Sequence, residues 1–228
     1  MRAMDLLERL GKKVVFSVQD AERMSGCGQS CAKQALRRLV ENGKVRRIER
    51  NAYTTSDDIF AIASGITYPS YVSFWSASYF MGYTEQIINT VQMASAMRRK
   101  PIKFEKYIIK FIPMKHIFGY KKIISGNGEV LVAENEKLLI DAFLRPEECG
   151  NLGEIEKMFR AAEISEEKLV GYLRRVGSQG AIKRVGFLLE KTRGLDISGA
   201  FSLDRNYVVL DAVSGKWKET SAKWRVRA

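Results

Sequence analysis

Two groups of polar and basic side chains lie close together near the beginning of the chain. The first group has helical spacing and comprises Ser30, Lys33, Gln34, Arg37 and Arg38. The second group follows within a few residues and comprises Lys44, Arg46, Arg47, Arg50 and Asn51. Arginine and lysine can donate to guanine, glutamine can pair with adenine, and serine near a helix N-terminus can bind a phosphate. These residue types at this spacing are typical of a surface that contacts double-stranded DNA.

A helix is needed to position the first group, and the apolar residues between its members predict one. Positions i, i+3, i+4, i+7 and i+8 of one continuous apolar face are Ala32, Ala35, Leu36, Leu39 and Val40. Asn42-Gly43 predicts the end of this helix. If the apolar face packs inward, the outer surface presents the first group together with Glu41.

A hairpin is predicted to carry the second group. The runs KVRRI and AYTT are strand-like and flank Arg50-Asn51, where asparagine tolerates the left-handed conformation of a tight turn. Strict alternation fails at Arg46-Arg47, which leaves open which of these arginines faces DNA. Two further helices are predicted, at MDLLERLG and after the N-cap Ser17. Residues 1–56 therefore have the element order of a winged helix-turn-helix DNA-binding domain.

The remaining residues, 57–228, are predicted to form a second, α/β domain. Early helical patterns at IFAIASGI and SFWSASYFMGY precede strand-like runs at VQMAS, KYIIKFIP, KKIIS and EVLVA. Helical patterns dominate from about residue 134 to 192, and NYVVLDAV predicts a short strand after them. The predicted fold class is α+β, with a winged helix-turn-helix followed by a mixed α/β domain that ends in a helical section and a short strand.

Charge and composition narrow the class of protein. The 228 residues carry a formal net charge of +12, which is typical of chains that bind phosphate polymers or anionic surfaces. Half of this excess lies in residues 1–56, which have 12 Lys+Arg against 6 Asp+Glu. No apolar run is long enough to span a membrane, and the three cysteines fit free thiols in a reducing compartment. We expect a cytoplasmic protein without a membrane segment.

Candidate catalytic and metal-binding groups are sparse. The acidic residues Glu134, Glu136 and Asp141 could be combined with His116 into a nuclease or metal site. Glu136 and Asp141 do not share a helix face well, and a capping and surface-pair role for Glu136 and Lys137 is the favoured interpretation. No phosphate-binding, nucleophile-elbow or zinc-protease motif is present in the sequence. We therefore predict no enzyme activity, no cofactor and no metal.

Three alternatives stay open at this stage. The basic residues of the first domain could be a solvated surface, and a hairpin of this kind can serve protein or RNA contacts without operator-specific DNA binding. Near the end of the chain, Trp217 and Trp224 alternate with lysines and arginines. Such aromatic residues can stack on bases of RNA or of a single strand, or they can anchor a charged strand to the protein.

The chain resembles the AbiEi-type antitoxins of type IV toxin–antitoxin systems, which are also described as transcriptional regulators of abortive infection. The run ALRRLVENGKVRRIERNAYT is similar to that family's helix, glycine and basic hairpin, although Asn51 stands where a glycine is common. The more specific matches lie downstream, at Trp75–Ala77, Gly82–Gln86, Val132-Ala133, Glu136-Lys137, Asp141, Lys183–Glu190, Leu210-Asp211 and Trp224–Val226.

The resemblance implies a repressor that binds DNA upstream of its own gene. It also implies that the second domain is an antitoxin domain that counters a co-encoded, nucleotidyltransferase-like toxin in antiviral defence. Antagonism in such systems need not involve a stable complex, so direct contact with the toxin stays open.

Overall fold

A computed structural model of the chain describes residues 3–126 and 128–228. It contains α-helices and β-sheets in both halves, which confirms the predicted α+β class. The chain divides into two compact units. Unit 1 comprises Met1–Val72, Asn89–Lys115 and Lys122–Leu131, and unit 2 comprises Ser73–Ile88, His116–Lys121 and Val132–Ala228. The predicted N-terminal domain, residues 1–56, falls within unit 1.

The described residues form nine α-helices and eleven strands. The helices are α1 (Ala3–Leu10), α2 (Val18–Ser25), α3 (Gln29–Glu41), α4 (Ile59–Ile66), α5 (Phe74–Phe80), α6 (Asn135–Leu144), α7 (Leu152–Ala161), α8 (Glu166–Val176) and α9 (Gln179–Arg193). The strands are β1 (Arg46–Glu49), β2 (Ala52–Thr54), β3 (Ser70–Val72), β4 (Thr90–Ser95), β5 (Ile102–Phe104), β6 (Tyr107–Pro113), β7 (Tyr120–Ser125), β8 (Gly128–Ala133), β9 (Val208–Val209), β10 (Thr220–Ser221) and β11 (Val226–Arg227). No helix in these residues is long and apolar enough to cross a bilayer.

Helices α1, α2 and α3 of unit 1 pack around a shared apolar core. Its buried members are Leu6, Leu10, Phe16, Val18, Ala21, Ala32, Leu36, Leu39 and Val45. A capping box at Ser17 and Asp20 begins α2, because each side chain accepts a hydrogen bond from the other residue's backbone N–H. Gly26 ends α2 in the left-handed conformation, with φ of 68°. The short turn that follows leads directly into α3.

The hairpin of β1 and β2 is attached to the segment between α1 and α2. Phe16 and Tyr53 exchange two backbone hydrogen bonds, with N···O distances of 3.0 and 2.9 Å. Their rings stack with centroids 6.3 Å apart. The element order is therefore helix, bridge, helix, helix and hairpin, and the bridge holds the hairpin beside the three helices.

A six-stranded sheet follows in the order β5-β6-β4-β3-β8-β7. Its centre is parallel between β4 and β6, whereas β3 with β4 and β5 with β6 are antiparallel. The residues of β4 from Val91 to Ser95 are all buried, as expected for a central strand covered on both faces. Four of the strand-like runs predicted from the sequence correspond to β4, β6, β7 and β8.

Unit 2 is built around α6 and α9, and buried residues lie on several sides of both helices. The side chains of Lys137 and Asp141 are completely buried and form an ion pair within α6. Ser73 Oγ donates to Asp141 at 2.9 Å, and Ser165 N–H donates to Glu136. The predicted surface-pair role of Glu136 and Lys137 is therefore wrong. Both side chains lie inside the unit, because other helices cover α6.

Candidate nucleic-acid interface

Helix α3 has one buried side and one polar side. Ala32, Leu36 and Leu39 are buried in the unit 1 core, and Ala35 and Val40 are half-buried. The side turned to solvent carries the first group of predicted residues, namely Ser30, Lys33, Gln34, Arg37 and Arg38, all of which are exposed. The predicted orientation of the helix is confirmed. Contact of these residues with DNA stays a prediction.

Arg37 forms an ion pair but remains available to bind a ligand. Its Nε donates to Glu41 Oε1 at 2.8 Å across one helical turn, and its side chain is 80% exposed. An exposed pair of this kind contributes at most about 1 kcal/mol, because water and salt screen it. Arg37 can therefore exchange Glu41 for another acceptor at little cost.

The turn before α3 brings Cys27 and Cys31 to the beginning of that helix. Cys27 Sγ lies 3.0 Å from Ser25 Oγ. Hydrogen bonds with the Cys31 thiol and with Ser25 lower the pKa of Cys27, and the same thiol contact raises the pKa of Cys31. Both are free thiols, as the sequence predicted, and Cys31 is exposed on the polar side of α3. The sequence did not indicate that the two thiols interact.

The hairpin separates the two arginines that the sequence could not assign. Arg46 forms ion pairs with Asp57 at 2.7 Å and Glu105 at 2.8 Å, and its guanidinium lies 5.7 Å from the ring centroid of Phe104. Arg47 is exposed, and its Nε donates to the backbone carbonyl of Glu49. A register shift between Arg47 and Glu49 is the reason that strict alternation fails.

Arg47 therefore faces solvent, whereas Arg46 is held by Asp57, Phe104 and Glu105 within unit 1. Lys44 and Arg50 are exposed as well. Three of the four basic members of the second group are thus accessible, while Arg46 has its donors occupied by carboxylates and by the Ser56 carbonyl. A role of Arg46 in binding stays a prediction, but it would require these contacts to open.

Asn51 forms the turn of the hairpin and connects it to α2. Its φ of 63° confirms the left-handed conformation expected at this position. Its Oδ1 accepts from Val18 N–H at 3.0 Å, and its Nδ2 donates to Gln19 Oε1 at 2.9 Å. Asn51 is exposed, yet its side chain positions the turn against the first residues of α2. The sequence indicated the turn but not the partner 33 residues away.

A carboxylate that sequence reasoning missed stabilises the helix preceding α3. Asp20 pairs with Lys13 at 2.6 Å and with Arg23 at 2.9 Å, and it also closes the capping box of α2. Burial alone would raise the pKa of Asp20, but hydrogen bonds from Lys13 and Ser17 outweigh it and lower the pKa to about 2. Asp20 therefore stays ionised, and its contacts with Lys13 and Ser17 hold the beginning of α2 to the segment that precedes it.

The acidic residues considered for catalysis are engaged in unit 2 instead. Glu134 accepts from the Tyr172 hydroxyl and pairs with Lys168 at 2.8 Å. Burial would raise the pKa of Glu134, yet the bonds from Lys168 and Tyr172 lower it. Across the described part of the chain, no three His, Cys, Asp or Glu side chains are arranged to hold a metal ion.

These elements define an α+β protein with three helices and a hairpin in its first residues. The fold is similar to the crystal structure of the RV2827C protein from Mycobacterium tuberculosis, with a TM-score of 0.67 and 15% sequence identity. The similarity covers 98% of this chain and 90% of the other chain. At this identity the likeness shows a shared fold alone. No protein-family model and no curated protein matches the sequence.

Proposed function

We propose that residues 1–56 form a winged helix-turn-helix that binds operator DNA. The observation that supports this most is the continuous exposed polar side of α3, together with exposed Arg47 and Arg50 on the adjoining hairpin. Between Gln29 and Ser56 there are seven basic residues against two acidic ones. In this proposal α3 is the recognition helix, and the hairpin is the wing.

The roles follow from side-chain chemistry and position. Arg37, Arg38 and Gln34 lie along the outer side of α3, where they can donate to base edges in the major groove. Ser30 lies in the first turn of α3 and can bind a phosphate, because backbone N–H groups point outward there. Lys44, Arg47 and Arg50 contact the sugar-phosphate backbone. Each phosphate neutralised releases counterions, so affinity falls as salt rises.

We further propose that the chain is a transcriptional autorepressor and antitoxin of a type IV toxin–antitoxin system. This part of the proposal rests on the resemblance to AbiEi-type antitoxins. The matching residues downstream all lie in unit 2, where Lys137 with Asp141 and Lys183 with Asp204 form buried or partly buried ion pairs. The functional partner is a co-encoded nucleotidyltransferase-like toxin, and the protein acts in the cytoplasm.

Fluorescence anisotropy with the full chain tests the DNA-binding part. The probe is a labelled duplex from immediately upstream of the protein's own gene, and the control is a random duplex of the same length and base composition. Titrations at several salt concentrations should show tighter binding to the upstream duplex and a linear fall of log affinity with log salt. Equal affinity for both duplexes would overturn autoregulation and favour a protein- or RNA-interaction module.

Co-expression tests the antitoxin part separately. The full chain, expressed from an unrelated promoter, should restore growth to cells that express the toxin encoded beside it. The variant Arg37→Ala/Arg50→Ala should restore growth equally well, because these residues are exposed on unit 1 and are proposed only for DNA. Failure of the folded wild-type chain to restore growth would remove the antitoxin proposal while leaving DNA binding intact.

A further inference from the structure

The three-stranded sheet of unit 2 has an inner and an outer face. Its strands lie in the order β10-β11-β9, so β11 is central. Val226 of β11 is fully buried, and the next residue, Arg227, is exposed. Arg227 lies opposite Thr220 on β10 and Val209 on β9. Because successive side chains of a strand point to opposite faces, Arg227 stands at the centre of the outer face.

Two exposed aromatic rings lie beside Arg227. Its guanidinium is 5.3 Å from the ring centroid of Trp217 and 5.7 Å from that of Tyr207. Trp217 is 50% exposed and Tyr207 is 42% exposed, whereas Trp224 nearby is 1% exposed. Cation–π contact with Arg227 orients both rings. Half of the Trp217 surface remains open to solvent.

The chain segment that carries these rings is strongly basic. From Arg205 to Ala228 the chain has six basic residues and two acidic ones, Asp211 and Glu219. Glu219 pairs with Lys191, and Asp211 accepts hydrogen bonds from Ser214. The exposed cations nearest the rings in sequence are Arg205, Lys216 and Lys218, and none of them has an ion pair within residues 128–228.

We infer that this aromatic-basic face, made of Tyr207, Trp217, Arg227 and the three flanking cations, binds single-stranded RNA. Open aromatic rings stack on unpaired bases, and the surrounding cations neutralise phosphates. A duplex hides the faces of its bases, so it cannot use the rings in this way. The hydroxyl of Thr220 and the amide of Asn206 are exposed next to Arg227 and Tyr207, where they can bond to ribose 2′-hydroxyls.

This inference concerns unit 2 alone and does not depend on DNA binding by α3. The full chain is titrated with octaadenylate RNA at low salt, and both intrinsic tryptophan fluorescence and the anisotropy of labelled RNA are measured. The RNA should quench the exposed Trp217. Trp217→Ala should weaken binding about fivefold or more, since stacking on one base is worth on the order of 1 kcal/mol or more. Trp217→Phe keeps a ring and should retain affinity within about twofold of the wild type.

A double lysine variant tests the charge contribution without altering the rings. Lys216→Ala/Lys218→Ala should reduce the slope of log affinity against log salt by about 1 to 2. Trp217→Ala should bind duplex DNA as the wild type does, and Arg47→Ala should bind the RNA as the wild type does. Circular dichroism melting establishes that each variant is folded.

Three outcomes would overturn the inference. The first is equal affinity of Trp217→Ala and wild type for the RNA, which would show that the ring does not stack on a base. The second is quenching of Trp217 by heparin as strong as that by RNA, which would reduce the site to a nonspecific polyanion surface. The third is binding of octadeoxyadenylate as tight as that of the RNA, which would remove the role of the 2′-hydroxyl.

Discussion

The indole ring of Trp224 packs against the backbone of Gly186, in the middle of α9. A Cβ atom at position 186 would lie 2.7 Å from Cε3 of Trp224 and closer still to two other ring atoms. The indole Nε1–H donates to Glu190, one helical turn further along α9. Arg184 of the same helix donates to the carbonyl of Val209 at 2.8 Å. Helix α9 therefore holds the small sheet through a ring and two polar contacts.

Gly186→Ala is expected to destabilise the protein by about 1 to 3 kcal/mol, because the methyl group has no space beside the buried ring. Urea denaturation followed by circular dichroism measures the change. The matched control is Gly171→Ala in the middle of α8, where the added methyl meets nothing within 4 Å. Alanine there should leave stability unchanged or raise it by up to about 1 kcal/mol through helix propensity. Equal effects of the two substitutions would contradict the packing of Trp224 on Gly186.

Arg46→Ala is expected to affect stability, and Arg47→Ala is expected to affect DNA binding. Arg46→Ala removes the partner of Asp57 and Glu105, so the melting temperature should fall while the salt dependence of DNA binding is unchanged. Arg47→Ala should leave the melting temperature unchanged, weaken binding to upstream and random duplexes equally, and reduce the salt slope by about 1.

Arg37→Ala should behave differently from both hairpin variants. Loss of a base contact should weaken binding to the upstream duplex more than binding to the random one, by about 1 to 3 kcal/mol. Anisotropy titrations of both duplexes measure this difference. Equal losses on the two duplexes would contradict the assignment of α3 as the recognition helix.

Asp20 should make the stability of unit 1 depend on acid pH. Its pKa is lowered from an ordinary 3.8 to about 2 in the folded chain, so the folded state favours the ionised carboxylate. The contribution is fully present above about pH 4 and is lost as the pH falls through about 2. Asp20→Asn should therefore destabilise the protein at pH 7 by about 1 to 2 kcal/mol, and less and less as the pH falls through this window.

Melting temperatures of wild type and Asp20→Asn between pH 7 and pH 2 measure this effect. Glu8→Gln provides the control, because Glu8 is exposed on α1. The difference between Glu8→Gln and wild type should stay small throughout. A constant difference for Asp20→Asn between pH 7 and pH 2 would show that the carboxylate charge does not stabilise the folded state.

The three cysteines should react with iodoacetamide at different rates. Hydrogen bonds from Cys31 and Ser25 lower the pKa of Cys27, which increases the fraction of Cys27 present as the reactive thiolate. Burial, with nearby Asp141 and Glu148, raises the pKa of Cys149 well above its ordinary value. Mass spectrometry of the native protein at pH 7.5 (about one unit below an ordinary thiol pKa) should show Cys27 labelled first and Cys149 unlabelled. In denaturant all three should react alike, and early labelling of native Cys149 would contradict its burial.

Local sequence patterns were sufficient to predict α3, its exposed residues and the turn at Asn51. Apolar residues of α3 repeat every three to four positions and form one face, which the helix must bury. The opposite, polar side of α3 is then exposed, whichever residues cover the apolar face. The strands β4, β6, β7 and β8 were predictable for a similar reason, because an alternating or a continuous apolar pattern depends only on neighbouring residues.

The sequence by itself thus determined the α+β class, the three-helix and hairpin order, and which side of α3 faces solvent. Only the tertiary structure decided that Arg46 is paired and Arg47 exposed, because Glu105 is distant in the chain. It also decided that Lys137 and Asp141 are buried, and that Trp224 is buried while Trp217 is exposed. Similar local patterns have opposite exposures in these cases, because burial depends on which distant residues cover a side chain, and local periodicity does not specify those residues.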